Sequence, residues 1–136
     1  MMMTAATVCL AAAIFFEARS EPTFAQHMVA EVILNRVQHS SFPDDVCSVV
    51  YEDKQFSFTH DGKSDNPRVH TSEIDRRAYK KAVEIASMFL DGYEVGSSST
   101  HYHTTYVRPS WSKVYKVDGK AGDHIFYTCS KEKRNC

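Results

Sequence analysis

Glu17 stands where a carboxylate is unexpected, at the end of the longest apolar run in the chain, VCLAAAIFF, residues 8–16. On a helix, the residues three, four and seven positions earlier share its face, and these are Ile14, Ala13 and Leu10. A carboxyl held against such neighbours loses hydration, which disfavours its charged form and raises its pKa. An acid still protonated near neutral pH can give its proton to a leaving oxygen, and glycosidic cleavage needs such a donor. The commoner fate of a helix-end glutamate is to turn to solvent or to pair with a cation, here Arg19 or Arg36. The apolar company on its face is what argues for the acid.

Glu21 follows four residues later. In one continuous helix it would neighbour Glu17 and complete a two-carboxylate glycosidase pair. Pro22 disfavours helix at Glu21, so its charge instead suits the N-terminal dipole of a second helix. His101 and His103 lie two apart on a strand-like segment and so share a face. Paired imidazoles can hold zinc, but a catalytic zinc usually takes a third protein ligand, and no spacing supports His60, Asp61 or His124 in that role. The other reading is a polar strand face lining a groove. Tyr102, Tyr106, Trp111, Tyr115 and Tyr127 crowd the last third of the chain, as core or as platforms for sugar rings; composition does not separate the two.

Elements that would position these groups can be read from periodicity and punctuation. A first helix spans about Thr4 to Arg19. A second opens with Pro22 as its first residue and carries an apolar stripe of Phe24, Ala25, Met28, Val29, Val32, Ile33 and Val37. Pro43 opens a short third helix with Val46, Val49 and Val50 inward. The segment QFSFT alternates as an extended strand, with Gln55, Ser57 and Thr59 on one side and Phe56 and Phe58 on the other. A long polar loop, HDGKSDNPRVHT, follows. Ser72 and Asp75 resemble a capping box before a fourth helix carrying Ile74, Ala78, Ala82, Val83, Ile85, Ala86, Phe89 and Leu90, with Gly92 as its C-cap. THYHTTYV is strand-like, and KVYKV and HIFYT flank DGKAGD as a hairpin. Helices first and short strands last make an α+β chain.

With 136 residues the chain is one domain, 1–136, ending in a charged tail, 128–136. Its 43% hydrophobic and 24% charged residues suit a soluble globular protein, and a net charge of -1 gives no electrostatic case for nucleic acid. The N-terminal apolar run is too short to span a bilayer, and no basic residue precedes it as in a signal peptide. The expectation is therefore no integral membrane association and no signal peptide. Cys9 and Cys47 lie in apolar segments and read as buried thiols; Cys129 and Cys136 could pair in an oxidising compartment, which spacing does not decide.

Five motifs stand together in order: CLAAAIFFEARSEP, VAEVILNRVQHSSFPDDVCSVVY, QFSFTHDG, THYHTTYVRPSW and GDHIFY. In order and approximate spacing they resemble the SleB/CwlJ cell-wall hydrolase family of spore cortex-lytic enzymes and phage endolysins, from about Cys9 to Tyr127. The resemblance implies a lysozyme-like domain of the lytic transglycosylase type, acting on peptidoglycan at the bond from N-acetylmuramic acid to N-acetylglucosamine. It implies Glu17 as the catalytic acid and Gln55, Phe56, Ser57, His101, Tyr102 and His103 in the substrate groove. Ser20 departs from the glycine usual in the family. Strand alternation turns Phe56 inward and favours the histidines over Tyr102 as groove residues. Such an enzyme requires no metal or organic cofactor. It is expected as a monomer, and if it is an endolysin it would wait in the host cytoplasm until lysis.

Overall fold

The computed structural model describes residues 3–52, 56, 64, 66–129 and 136. Helix α1 runs Ala5–Ala18, α2 Thr23–Val37, α3 Val46–Val50 and α4 Glu73–Leu90; strands β1 His101–Thr104, β2 Lys116–Ala121 and β3 His124–Thr128 follow. The strands form an antiparallel sheet in the order β1-β3-β2. The α+β class and the order of helices before strands are as expected.

Three of the four described α-helices start where a side chain takes an orphan amide. Thr4 caps α1 by accepting from the Thr7 amide at 3.1 Å, Asp45 caps α3 through the Ser48 amide at 2.9 Å, and Ser72 caps α4 through the Asp75 amide at 3.1 Å. Pro22 sits at the N-cap of α2, one residue earlier than expected. Helix α4 stops at Gly92, whose φ of 112° is open to glycine; Gly92 and Tyr93 return their amides to Phe89 and Met88.

Helix α1 is the centre of the core. Leu10, Ala11, Ala13, Ile14 and Phe15 are fully buried, because α2, α3 and α4 all pack against it. Val46, Val49 and Val50 face inward as expected. Two predicted core residues do not. Phe24 is 54% exposed and Ile74 80% exposed, each in the first turn of its helix. The periodicity also hid three buried polar residues on α2, Gln26, Glu31 and Arg36.

The hairpin turns at Gly122 and Asp123, and Asp118 to Ala121 belong to β2, which carries an irregularity between Val117 and Gly119. Of KVYKV only Lys116 and Val117 are strand; Lys113 ends a 3-10 turn, Ser110–Lys113. Thr128 belongs to β3 and Cys129 is buried, so the fold extends past the expected start of the tail. Cys9 and Cys47 are not free thiols. They form a disulfide joining α1 to α3, with Cα atoms 5.3 Å apart, and Cys129 pairs with Cys136. Pairing depends on tertiary proximity across 38 residues, which an apolar local context does not reveal.

Candidate active site

Glu17 occupies the last turn of α1, half-buried, and its Oε1 accepts a 2.8 Å hydrogen bond from the Tyr102 hydroxyl. Strand β1 delivers Tyr102 there. In its register with β3, Tyr102 lies opposite Phe126, and its ring packs against Phe126 at 5.5 Å, His124 at 5.1 Å and Phe56 at 6.5 Å. The phenol thus spans an apolar floor with its ring and reaches the acid with its oxygen.

Burial pushes the Glu17 carboxyl above its ordinary range, opposed by the Tyr102 hydrogen bond and by the Arg36 charge. The Tyr102 hydroxyl is driven well above its usual value by burial and by Glu17 beside it, so it stays a donor. Arg36 is buried on α2; its Nε donates to the Thr100 carbonyl at 2.7 Å, and its guanidinium lies 4.9 Å from the Phe42 ring centre and 5.5 Å from that of Phe56. Arg19, the other cation considered for Glu17, pairs with Asp75 at 3.1 Å instead.

His101 and His103 share a face, as alternation requires, but it is the face of β1 opposite to Tyr102. His101 Nε2 donates to the Cys136 carbonyl at 3.1 Å, and its ring lies against Trp111 and Tyr115. Burial, with Arg36 nearby, lowers its pKa to about 4, so it is neutral. His103 donates from Nδ1 to the Thr104 carbonyl at 2.7 Å and accepts at Nε2 from the Tyr127 hydroxyl at 2.8 Å. The preference for the histidines over Tyr102 beside Glu17 is therefore reversed: both imidazoles are engaged in an aromatic layer, and Tyr102 alone of the three reaches the acid. Phe56 is 2% exposed, packed inward as its alternation predicted. Gln55 and Ser57 lie outside the described residues, as do Phe58, Thr59, His60 and Asp61.

The histidine pair does not assemble a metal site with His124, which projects from the other face of the sheet beside Tyr102. Among the described residues, the His/Cys cluster with metal-like spacing is His39, Cys129 and Cys136, and its two sulfurs are joined to each other.

Glu21 acts on the hairpin. Its carboxylate accepts from the Asp123 amide at 3.2 and 3.3 Å and lies 3.7 Å from His124 Nδ1. A Cβ at Gly122 would come within 2.6 Å of Glu21 Oε2 and 2.8 Å of Pro22, so the turn needs glycine both for its φ of 58° and for this approach. Glu21 thereby ties the turn that carries His124 to the α1–α2 junction. Sequence reasoning did not foresee this clasp or the buried roles of Glu31 and Arg36, whose hydrogen-bond partners are 64 to 66 residues away and largely backbone groups.

Residues 20–127 match the family model described as Cell Wall Hydrolase. The chain belongs to that family. Among its relatives in the cell wall hydrolase family, the spore cortex-lytic enzyme of Bacillus subtilis is 43% identical over 118 residues, and that of Halalkalibacterium halodurans 33% identical over 120. Each alignment covers 86% of this chain, but the chain spans only about a third of those relatives, 35% and 33%. The catalytic domain of the germination-specific lytic transglycosylase SleB from Bacillus anthracis superposes with a TM-score of 0.68 at 27% identity, over 93% of this chain and 97% of that one. The Bacillus cereus SleB catalytic domain gives 0.64 at 27% identity, over 93% of each chain. The lysozyme-like fold expected from the motifs is thus the fold of these domains. The relatives named here are bacterial and give the phage-endolysin reading no support.

Proposed function

We propose that the chain is a peptidoglycan lytic transglycosylase with Glu17 as its single acid and base. The observation that carries this is one half-buried carboxyl, its pKa raised, fixed by a phenol that cannot take its proton. Oε1 is engaged by Tyr102, so the transferable proton belongs on Oε2. Glu17 gives it to the glycosidic oxygen between N-acetylmuramic acid and N-acetylglucosamine, and the muramic N-acetyl group helps stabilise the cationic centre. The carboxylate left behind is stabilised by the Tyr102 hydrogen bond and Arg36. It then takes the proton of the sugar's 6-hydroxyl as that oxygen closes on C1. The product end is 1,6-anhydromuramic, and no water is consumed. A hydrolase would normally add a second carboxylate beside the bond, and Glu21 is committed to the hairpin turn. Similarity to SleB catalytic domains supports this reading.

The site of action proposed is the bacterial wall, the spore cortex in particular, with the protein acting as a monomer. No helix among the described residues is long and apolar enough to cross a membrane. Two disulfides suit an oxidising compartment outside the cytoplasm.

The proposal is tested with glycan strands stripped of their peptide stems, after thorough chelation. Soluble fragments are expected at the untreated rate, because Glu17 chemistry uses no Lewis acid. Activity abolished by chelator and restored by zinc, or confined to stem-bearing material, would replace this reading with a metal-dependent stem cleavage. Tyr102→Phe gives a second check. Losing a hydrogen bond to the charged form raises the Glu17 pKa further. Activity needs the protonated acid and is lost as pH rises through that pKa, so the basic limb of the kcat/KM profile should move up by about one pH unit. The rate should fall by about 10-fold or more as the carboxylate loses its donor. An unchanged limb would remove Tyr102 from the acid's control.

A further inference from the structure

One edge of α2 is bonded to the chain segment that leads into β1. Glu31 Oε1 accepts from the Val95 and Gly96 amides at 2.6 and 3.1 Å, and Oε2 from the Ser97 amide at 2.9 Å and hydroxyl at 2.6 Å. Asn35 Nδ2 donates to the carbonyls of Ser97 and Ser99 at 3.1 and 2.9 Å. Arg36 Nε completes the row at the Thr100 carbonyl, two residues before Tyr102. A neutral donor would satisfy that carbonyl, yet the chain places there a 4% exposed guanidinium, held over the Phe42 ring and over the Phe56 ring, which packs in turn against Tyr102, the donor to Glu17. Burying a cation is costly, and the rings it is stacked on lead to the phenol that holds the acid.

We propose that Arg36 is a positioning residue for Glu17: it fixes the strand that carries Tyr102 and brings a buried positive charge up to the Tyr102–Glu17 pair. The inference rests on Glu17 being the acid and assigns what governs it. Among the described residues, the groups that shift the Glu17 carboxyl are Tyr102 from β1 and Arg36 from α2. Arg36 also acts on Glu52, after α3, and on His101, on the far face of β1. Arg19 is turned to Asp75 of α4, which His70 also faces at 3.8 Å, so that group forms a separate cluster.

The test titrates the Glu17 carboxyl carbon by NMR in glutamate-labelled protein, the signal being assigned by its loss in Glu17→Gln, alongside the pH profile of kcat/KM. In Arg36→Gln the carboxyl titration and the basic limb should both rise by about one pH unit, the loss of a nearby opposite charge. The kcat should fall while KM holds, because the acid and not the groove is disturbed. Arg36→Lys, which keeps the charge, should bring the titration back toward wild type. If Arg36→Gln does not fold, citrulline at position 36 decides. It keeps the shape and the Nε–H on Thr100 and removes only the charge; ligating a synthetic 1–46 segment at Cys47 installs it, and the same rise is expected. A Glu17 titration unmoved in the glutamine or citrulline protein overturns the proposal, as does a lysine variant no closer to wild type than glutamine. A titration that moves without the rate limb following supports the placement of Arg36 and counts instead against Glu17 as the acid.

Discussion

Glu17→Gln is expected to fold, to keep its melting temperature close to wild type, and to lose about 10²–10⁴-fold in glycan cleavage, the usual contribution of a general acid–base group. The amide oxygen can still accept from the Tyr102 hydroxyl, which preserves the 2.8 Å contact that orients the side chain. What it lacks is the proton for the leaving oxygen and the basicity to take one back. Circular dichroism and release of soluble fragments from purified peptidoglycan check both halves. A folded Glu17→Gln protein within a fewfold of wild type would remove the acid. Glu21→Gln is the natural comparison. Its carboxylate holds the Asp123 amide, so its loss should appear first in stability.

Phe56→Ala is expected to cost about 3–5 kcal/mol, the range for deleting a fully buried aromatic side chain. Phe56 is 2% exposed, lies under the Arg36 guanidinium, and touches the Tyr102 ring. The cavity would open beneath the Tyr102 ring that orients Glu17, so the folded protein should lose turnover as well as stability. Denaturant unfolding measures the first effect. A loss below about 1 kcal/mol would mean that the site collapses onto the gap or that Phe56 is not core.

The helical half of the fold was largely legible because its signals are local. Ser72 announces α4 by capping chemistry and Gly92 ends it for want of a Cβ, whereas α3 starts after its Asp45 cap and not at Pro43, where the sequence placed its opening. Phe24 and Ile74 were misjudged because a stripe continues to the end of a helix whether or not anything faces its first turn. The strands were half legible. Period two correctly put His101 and His103 on one face and Tyr102 on the other, but periodicity does not say which face meets Glu17. Polarity pointed the wrong way: two imidazoles found buried partners, while an amphipathic phenol joined an apolar floor to a carboxyl. Glu17 could be read from its apolar helix face. Arg36, Glu31 and Asn35 could not, because their partners are backbone groups of residues 95–100, which no local pattern connects to α2.

Mass spectrometry of the muropeptides released from purified peptidoglycan tests the single-carboxyl mechanism most directly. With Glu17 serving in turn as acid and base, every new muramic end should be the 1,6-anhydro form, one water lighter than a reducing end, and Glu17→Gln should abolish it. Reducing muramic ends as the main product would contradict the mechanism, because they require a water activated by a second base that Glu21, held on the hairpin turn, does not supply.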